Sequence, residues 1–162
     1  MPVTEALEIK SFAHGVHPPE HKDTTKGLAI RQFPFAPVMV ILLSQHLGAP
    51  AKPTVREGQE VTRGQRIGEP DGFMSVAMHA PASGVVERIG IAPNSIGKMV
   101  PAVFLRPFPA SGQEVMEGIA CDVDNALREE IITAIQQAGV VGLGGAAFPT
   151  HVKLSVKEPR HA

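Results

Sequence analysis

Near its C-terminal end the chain reads Gly142-Leu143-Gly144-Gly145-Ala146-Ala147-Phe148-Pro149-Thr150, with Lys153 shortly after. Glycines at this density let a backbone approach an anion closely and turn several N–H groups toward it. Pro149 suits the first turn of a helix, whose positive end would face the same anion. Lys153 would supply a compensating ammonium. The chemistry on offer is therefore phosphate binding by backbone donors and one cation. On the residues alone, the stretch also fits a flexible loop after a helix.

The histidines form the other candidate set. His14, His17 and His21 are metal ligands by type. Pro18-Pro19 breaks any register that would align them, and no Cys or Asp completes a set at zinc spacing. Surface or capping roles are expected for all three, and His79 is expected to be a packed turn residue. Cys121, the only cysteine, excludes an internal disulfide and any iron–sulfur or cysteine-rich zinc centre held by this chain alone. No Ser/His/Asp order or carboxylate pair stands out, so no catalytic residue and no metal ligand is assigned.

Composition narrows the classes further. With 162 residues and 43% hydrophobic content, the chain can form one domain and part of a second. A formal net charge of −1 lacks the basic excess of a nucleic-acid surface. Seven Phe, with no Trp or Tyr, leave little for base stacking. Met1–Lys10 has no apolar leader segment, and Val38–Leu43 is too short to span a bilayer. The expectation is a soluble chain without direct membrane insertion, any membrane link coming through partners.

These groups need elements to hold them. Sixteen Gly and fifteen Pro favour short strands joined by tight turns, a mainly β fold. Residues 1–37 read as an extended N-terminal arm that wraps the rest, with one short strand over Leu28–Phe33. Val38–Leu43 is predicted to be a buried strand. In Val55-x-x-Gly58-x-x-Val61-x-x-Gly64-x-x-Ile67-Gly68 apolar residues and glycines recur every third position. A helix there would carry two internal glycines at roughly 1 kcal/mol each, so short strands turning at glycine are expected. Ala49-Pro50-Ala51 before Val55 is echoed by Ala80-Pro81-Ala82 before Val86, as two similar half-units would be. Gly84–Ile89 and Val103–Leu105 complete the strands of a module over 38–108. Residues 109–162 hold a linker, a helix over Asp122–Ala138 capped by Asp122 or Asp124 and stopped by Gly139, and the glycine-rich segment.

The glycine-punctuated stretch, followed by Ala80-Pro81-Ala82-Ser83-Gly84-Val85-Val86, resembles the lipoyl/biotinyl family, or barrel-sandwich hybrid. Carrier members of that family attach their cofactor to a lysine at the tip of an exposed hairpin. The corresponding stretch here, Pro70–Met78, contains no lysine. Lys52 and Lys98 fall outside it. A carrier domain remains an alternative reading, but the resemblance points to the fold serving as a docking or structural module.

The segment from Gly142 to Thr150, with Lys153, resembles the flavin-binding loop of the NADH-oxidising subunit of respiratory complex I. That likeness implies a cofactor-binding role for Gly142, Gly144, Gly145, Ala146, Phe148, Thr150 and Lys153. The two motifs in this order, after Gly15-Val16-His17-Pro18-Pro19-Glu20-His21-Lys22, resemble the C subunits of bacterial Rnf electron-transport complexes over nearly the whole chain. The resemblance implies a peripheral subunit on the cytoplasmic side of the inner membrane, partnered by other Rnf subunits. It implies electron exchange between NADH and ferredoxin, coupled to ion movement. It also implies FMN and NADH in an α/β domain that would follow, and 4Fe-4S clusters further on. The chain is accordingly expected to be an N-terminal, α/β-truncated piece of such a subunit, catalytically inert by itself. A free-standing phosphate- or flavin-binding module is the third reading.

Overall fold

The computed structural model describes residues 19–31, 34–110, 112–116, 118 and 122–155. His14, His17 and Cys121 lie outside them. The chain divides into two units, residues 1–33 and 34–162.

In the first unit a single 3-10 turn covers Lys22–Thr24, preceded by the exposed His21 at φ 51. Lys26 Nζ pairs with Asp23 Oδ1 at 2.6 Å. The strand expected over Leu28–Phe33 does not form across Leu28–Arg31. The Leu28 N–H is spent on Thr25 O, 3.0 Å away. Its apolar pattern lacks a neighbouring ladder, and both Leu28 and Ile30 are exposed.

The second unit is built from strands. They are β1 (Met39–Leu42), β2 (Lys52–Pro53), β3 (Glu60–Val61), β4 (Arg66–Glu69), β5 (Met78–His79), β6 (Gly84–Pro93) and β7 (Met99–Pro107). They make two antiparallel sheets, ordered β1-β7-β6-β3 and β2-β4-β5. Mainly β architecture is thus as expected. The β6–β7 hairpin is the spine, with a bulge at Glu87 between the Val86–Leu105 and Arg88–Phe104 pairs. Arg88 stacks on the Phe104 ring, 3.3 Å from its centroid.

Val38–Leu43 is an edge strand rather than a continuously buried one. Ile41 and Leu43 turn inward while Val38 and Val40 stay exposed, the period of two that one covered face imposes. Gly58 and Gly64 turn the chain at φ 77 and 84, as their spacing predicts. Leu43, Ile67, Val86, Val103 and Leu105 are fully buried in one core. The echoed positions Ala51 and Ala82, and Val55 and Val86, all enter that same core. His79 sits in β5, paired with Arg66, not in a turn.

Two helices follow, α1 (Arg128–Gln137) and α2 (Thr150–Leu154). Helix α1 starts later than the apolar spacing predicts, and neither Asp122 nor Asp124 caps it. Asp122 instead closes a separate turn, taking the Ala126 N–H at 2.9 Å and the Asn125 amide at 2.8 Å. The helix begins where Glu130 reaches back to accept the Leu127 N–H at 2.8 Å, one arm of a capping box. Glu130→Ala should therefore lower stability by about 0.5–1 kcal/mol, read as a small fall in the urea midpoint without a change in slope. Gly139 ends α1 at φ 73, and a Cβ there would lie 2.6 Å from Ala77 O.

Candidate functional site

The glycine-rich segment is a closed loop with a pinned base. Val141 and Pro149 face each other across an antiparallel bridge. Gly142 N–H donates to Phe148 O at 2.9 Å, and Thr150 N–H to Val140 O at 3.1 Å. Between these rungs the chain rises into solvent, with Leu143, Gly144, Gly145 and Ala146 exposed. Gly145 takes φ 84 and Ala147 φ 44. Ala146 N–H donates to Gly144 O at 3.1 Å. Among the described residues, the N–H groups of Leu143, Gly144 and Gly145 have no acceptor.

Lys153, one turn into α2, folds back over the base. Its ammonium lies 5.6 Å from the centroid of the Phe148 ring, and 3.2 Å from where a Cβ on Gly142 would stand. Gly142 is therefore a seat for the lysine, whereas a Cβ on Gly144 or Gly145 would meet nothing within 4 Å. The structure thus gathers Gly142, Phe148, Thr150 and Lys153 at the loop base. It leaves Gly144, Gly145 and Ala146 at the open tip. Three unengaged donors beside one ammonium can receive a phosphate. A cleft of about 330 Å³ lies between Phe73, His151 and α1.

What holds the loop is the lysine-less hairpin between β4 and β5. Four consecutive carbonyls there are engaged. Gln136 Nε2 donates to Gly72 O at 3.1 Å and to Ser75 O at 2.9 Å. His151 Nε2 meets Phe73 O at 2.7 Å, and Ala49 N–H meets Met74 O at 3.1 Å. Ala77 N–H donates to Gln136 O, Arg66 to the Gln137 amide at 2.6 Å, and Leu47 N–H to Ala147 O at 3.3 Å. Phe73 stacks edge-on against His151, 5.6 Å between centroids. A hairpin that must swing cannot be tied at four successive positions. The flanking Lys52 is itself paired with Asp71 at 2.8 Å, and this contact raises its pKa.

Sequence reasoning misses His46, Phe73, Ser75, Gln136 and His151, because each matters only through a distant partner. One clue is present: Gly72-Phe73-Met74 is an apolar tip, which a free hairpin would not favour. His46 is buried and bonded to Ala49 O at 3.0 Å. Burial is the main cause that pushes its pKa below the ordinary value. His79 is lowered too, by burial and then by Arg66. Among the described residues no three His, Cys, Asp or Glu side chains come together as a metal site. No helix among them is long and apolar enough to cross a membrane.

Comparison with known proteins adds an independent line. The family model described as "RnfC Barrel sandwich hybrid domain" matches residues 10–107. The chain is 39% identical over 154 residues to the C subunit of the Na(+)-translocating ferredoxin:NAD(+) oxidoreductase complex of Acetobacterium woodii, covering 90% of this chain and 33% of that protein. Against the C subunit of the ion-translocating oxidoreductase complex of Rhodobacter capsulatus the identity is 36% over 155 residues, 93% of this chain and 29% of the relative. For the Citrobacter koseri protein of the same name it is 42% over 151 residues, 91% and 21%. The chain therefore spans about a third or less of the length of these curated relatives.

Proposed function

Since the chain belongs to the RnfC barrel sandwich hybrid family, we propose that it is the docking portion of an electron-transport subunit, holding a phosphate-binding loop in place for a flavin. The observation that carries this reading is the hairpin whose four consecutive carbonyls are tied to α1, α2 and the segment before β2. The β module spends the hairpin on fixing the glycine loop. A carrier domain needs that hairpin free and lysine-tipped, so the carrier alternative is not favoured.

In this reading residues 38–108 are the docking module and residues 109–162 the opening of a flavin/NADH domain, with residues 1–37 as an arm. The backbone donors of Leu143, Gly144 and Gly145, with Lys153, hold the phosphate of FMN. Ala146, Phe148 and Thr150 shape the loop. The flavin, once bound, supplies the capacity to take hydride from NADH and release single electrons. The whole subunit would pass electrons between NADH and ferredoxin with ion movement, in keeping with the name of the Acetobacterium woodii relative. It would sit peripherally on the cytoplasmic side of the bacterial inner membrane, against other subunits of the complex. Any 4Fe-4S clusters would belong to sequence beyond this chain.

Titration followed by amide NMR tests the loop. FMN should shift the Leu143–Ala146 amides, and riboflavin, which lacks the phosphate, should not. Lys153→Gln should weaken FMN binding about ten-fold, the size of one charge-assisted contact. Equal shifts with riboflavin, or unchanged affinity in the lysine variant, would remove the phosphate role. With NADH and an artificial acceptor the chain should show no turnover.

A further inference from the structure

The seam between the β module and the glycine loop buries three polar atoms without a partner: His46 Nδ1, His151 Nδ1 and Ser75 Oγ. Buried polar atoms are nearly always hydrogen-bonded, so three orphans along one seam mark a specialised place. Their chemistry can be read further. Each imidazole meets a backbone carbonyl through Nε2, His46 that of Ala49 and His151 that of Phe73. A carbonyl only accepts, so Nε2 carries the hydrogen and Nδ1 is the bare nitrogen. On His46 the bare nitrogen is then the site where a proton would add. It would become a buried N–H⁺ with no acceptor.

We propose that His46 is a proton-sensitive latch that holds the glycine loop on the β module only while its ring is neutral. His151 belongs to α2, one residue past the loop, and His46 precedes Leu47, whose N–H grips Ala147 O. Charging the His46 ring therefore strains a tie to the loop itself. Ser75 Oγ offers no negative charge to offset an imidazolium. From α1, Arg128 and Glu129 line the cleft beside His151. On β4 and β5 stand Arg66 and His79, in the hairpin Asp71 is held by Lys52, and on α2 Lys153 lies over Phe148. Two carboxylates on these elements, Glu69 on β4 and Glu129 on α1, are exposed.

The direction follows from linkage. His46 titrates lower in the folded chain than in the unfolded one, so the unfolded or opened state binds more protons. The stability this neutral ring contributes is fully present above the ordinary histidine pKa. It is lost as pH falls through the lowered value. The loop should be latched at neutral pH and released in mild acid.

The latch deepens the reading of the loop as a phosphate cradle and rests on it for its consequence. Its test uses no flavin, so either can fail alone. Amide hydrogen exchange of the full chain, corrected for intrinsic rates, should show Leu47 and Ala77 losing up to about ten-fold protection between about pH 7.5 and pH 5.5. Amides of the β6–β7 ladder should hold theirs. In the His46→Gln variant, whose amide can still donate to the Ala49 carbonyl, the loss should vanish. Seam protection that is flat with pH, or seam and ladder failing together, would overturn the latch. Should that variant not fold, NMR of the His46 ring in the unaltered chain decides. Ring titration coincident with seam opening supports the latch, and titration without opening sinks it.

Discussion

Gly48→Ala should destabilise the chain by about 3 kcal/mol or more, the sum of a backbone strain and an overpacking penalty. Gly48 sits at φ 124, a conformation L side chains rarely adopt, and a Cβ there would land on the carbonyl oxygen of Met74. That carbonyl belongs to the tied hairpin and accepts the Ala49 N–H. No flexible side chain is available to yield, because the obstacle is backbone. Equilibrium urea unfolding should show the midpoint fall, and the amides of Leu47 and Ala49 should exchange faster than those of β6 and β7. A variant with unchanged midpoint would mean that the 46–49 segment does not pack on the hairpin as described.

Leu43→Ala should cost between about 2 and 5 kcal/mol, the range for emptying a fully buried leucine site. Leu43 joins the end of β1 to the barrel: its N–H donates to Pro101 O and its carbonyl accepts from Ala51, both at 2.8 Å. Across the core its Cδ2 would stand 3.2 Å from a Cβ placed on Gly68, with Ala51 Cβ at 3.3 Å and Met78 Cβ at 3.4 Å. Gly68→Ala alone is thus overpacked, and Leu43→Ala alone leaves a void. Combining them should recover part of the loss, since the new methyl enters the vacated space. A double-mutant cycle should return a favourable coupling of about 0.5 kcal/mol or more. Strict additivity would show that the two positions do not share the site.

Local chemistry was legible in the sequence. The three-residue glycine period told strand and turn from helix because Gly58 and Gly64 must reach positive φ, a property of the residue itself. The repeat of Ala-Pro-Ala and Val pointed to two similar half-units, and the fold sends Ala51, Ala82, Val55 and Val86 into one core. The end of α1 at Gly139 followed from residue type in the same way. The start of α1 did not. Asp122 had two acceptable uses, a cap or a separate turn, and only the reach of Glu130 to Leu127 selected one. Leu28–Arg31 forms no strand, because an apolar pattern becomes a strand only beside a partner.

At the glycine loop the division is sharpest. Its residues, by themselves, determined a backbone able to offer free N–H donors, with a lysine one helical turn away. Missing lysine in Pro70–Met78 likewise stood in the sequence as an absence of carrier chemistry. What that hairpin does instead was decided by the tertiary structure alone. The ties from Gln136, His151 and Ala49 to Gly72, Phe73, Met74 and Ser75 link residues far apart in the chain. They use backbone carbonyls, which every residue carries and no side-chain pattern announces. Burial of His46 and His151 belongs to the same class. A histidine's exposure, and so the cost of its proton, is fixed by what folds over it.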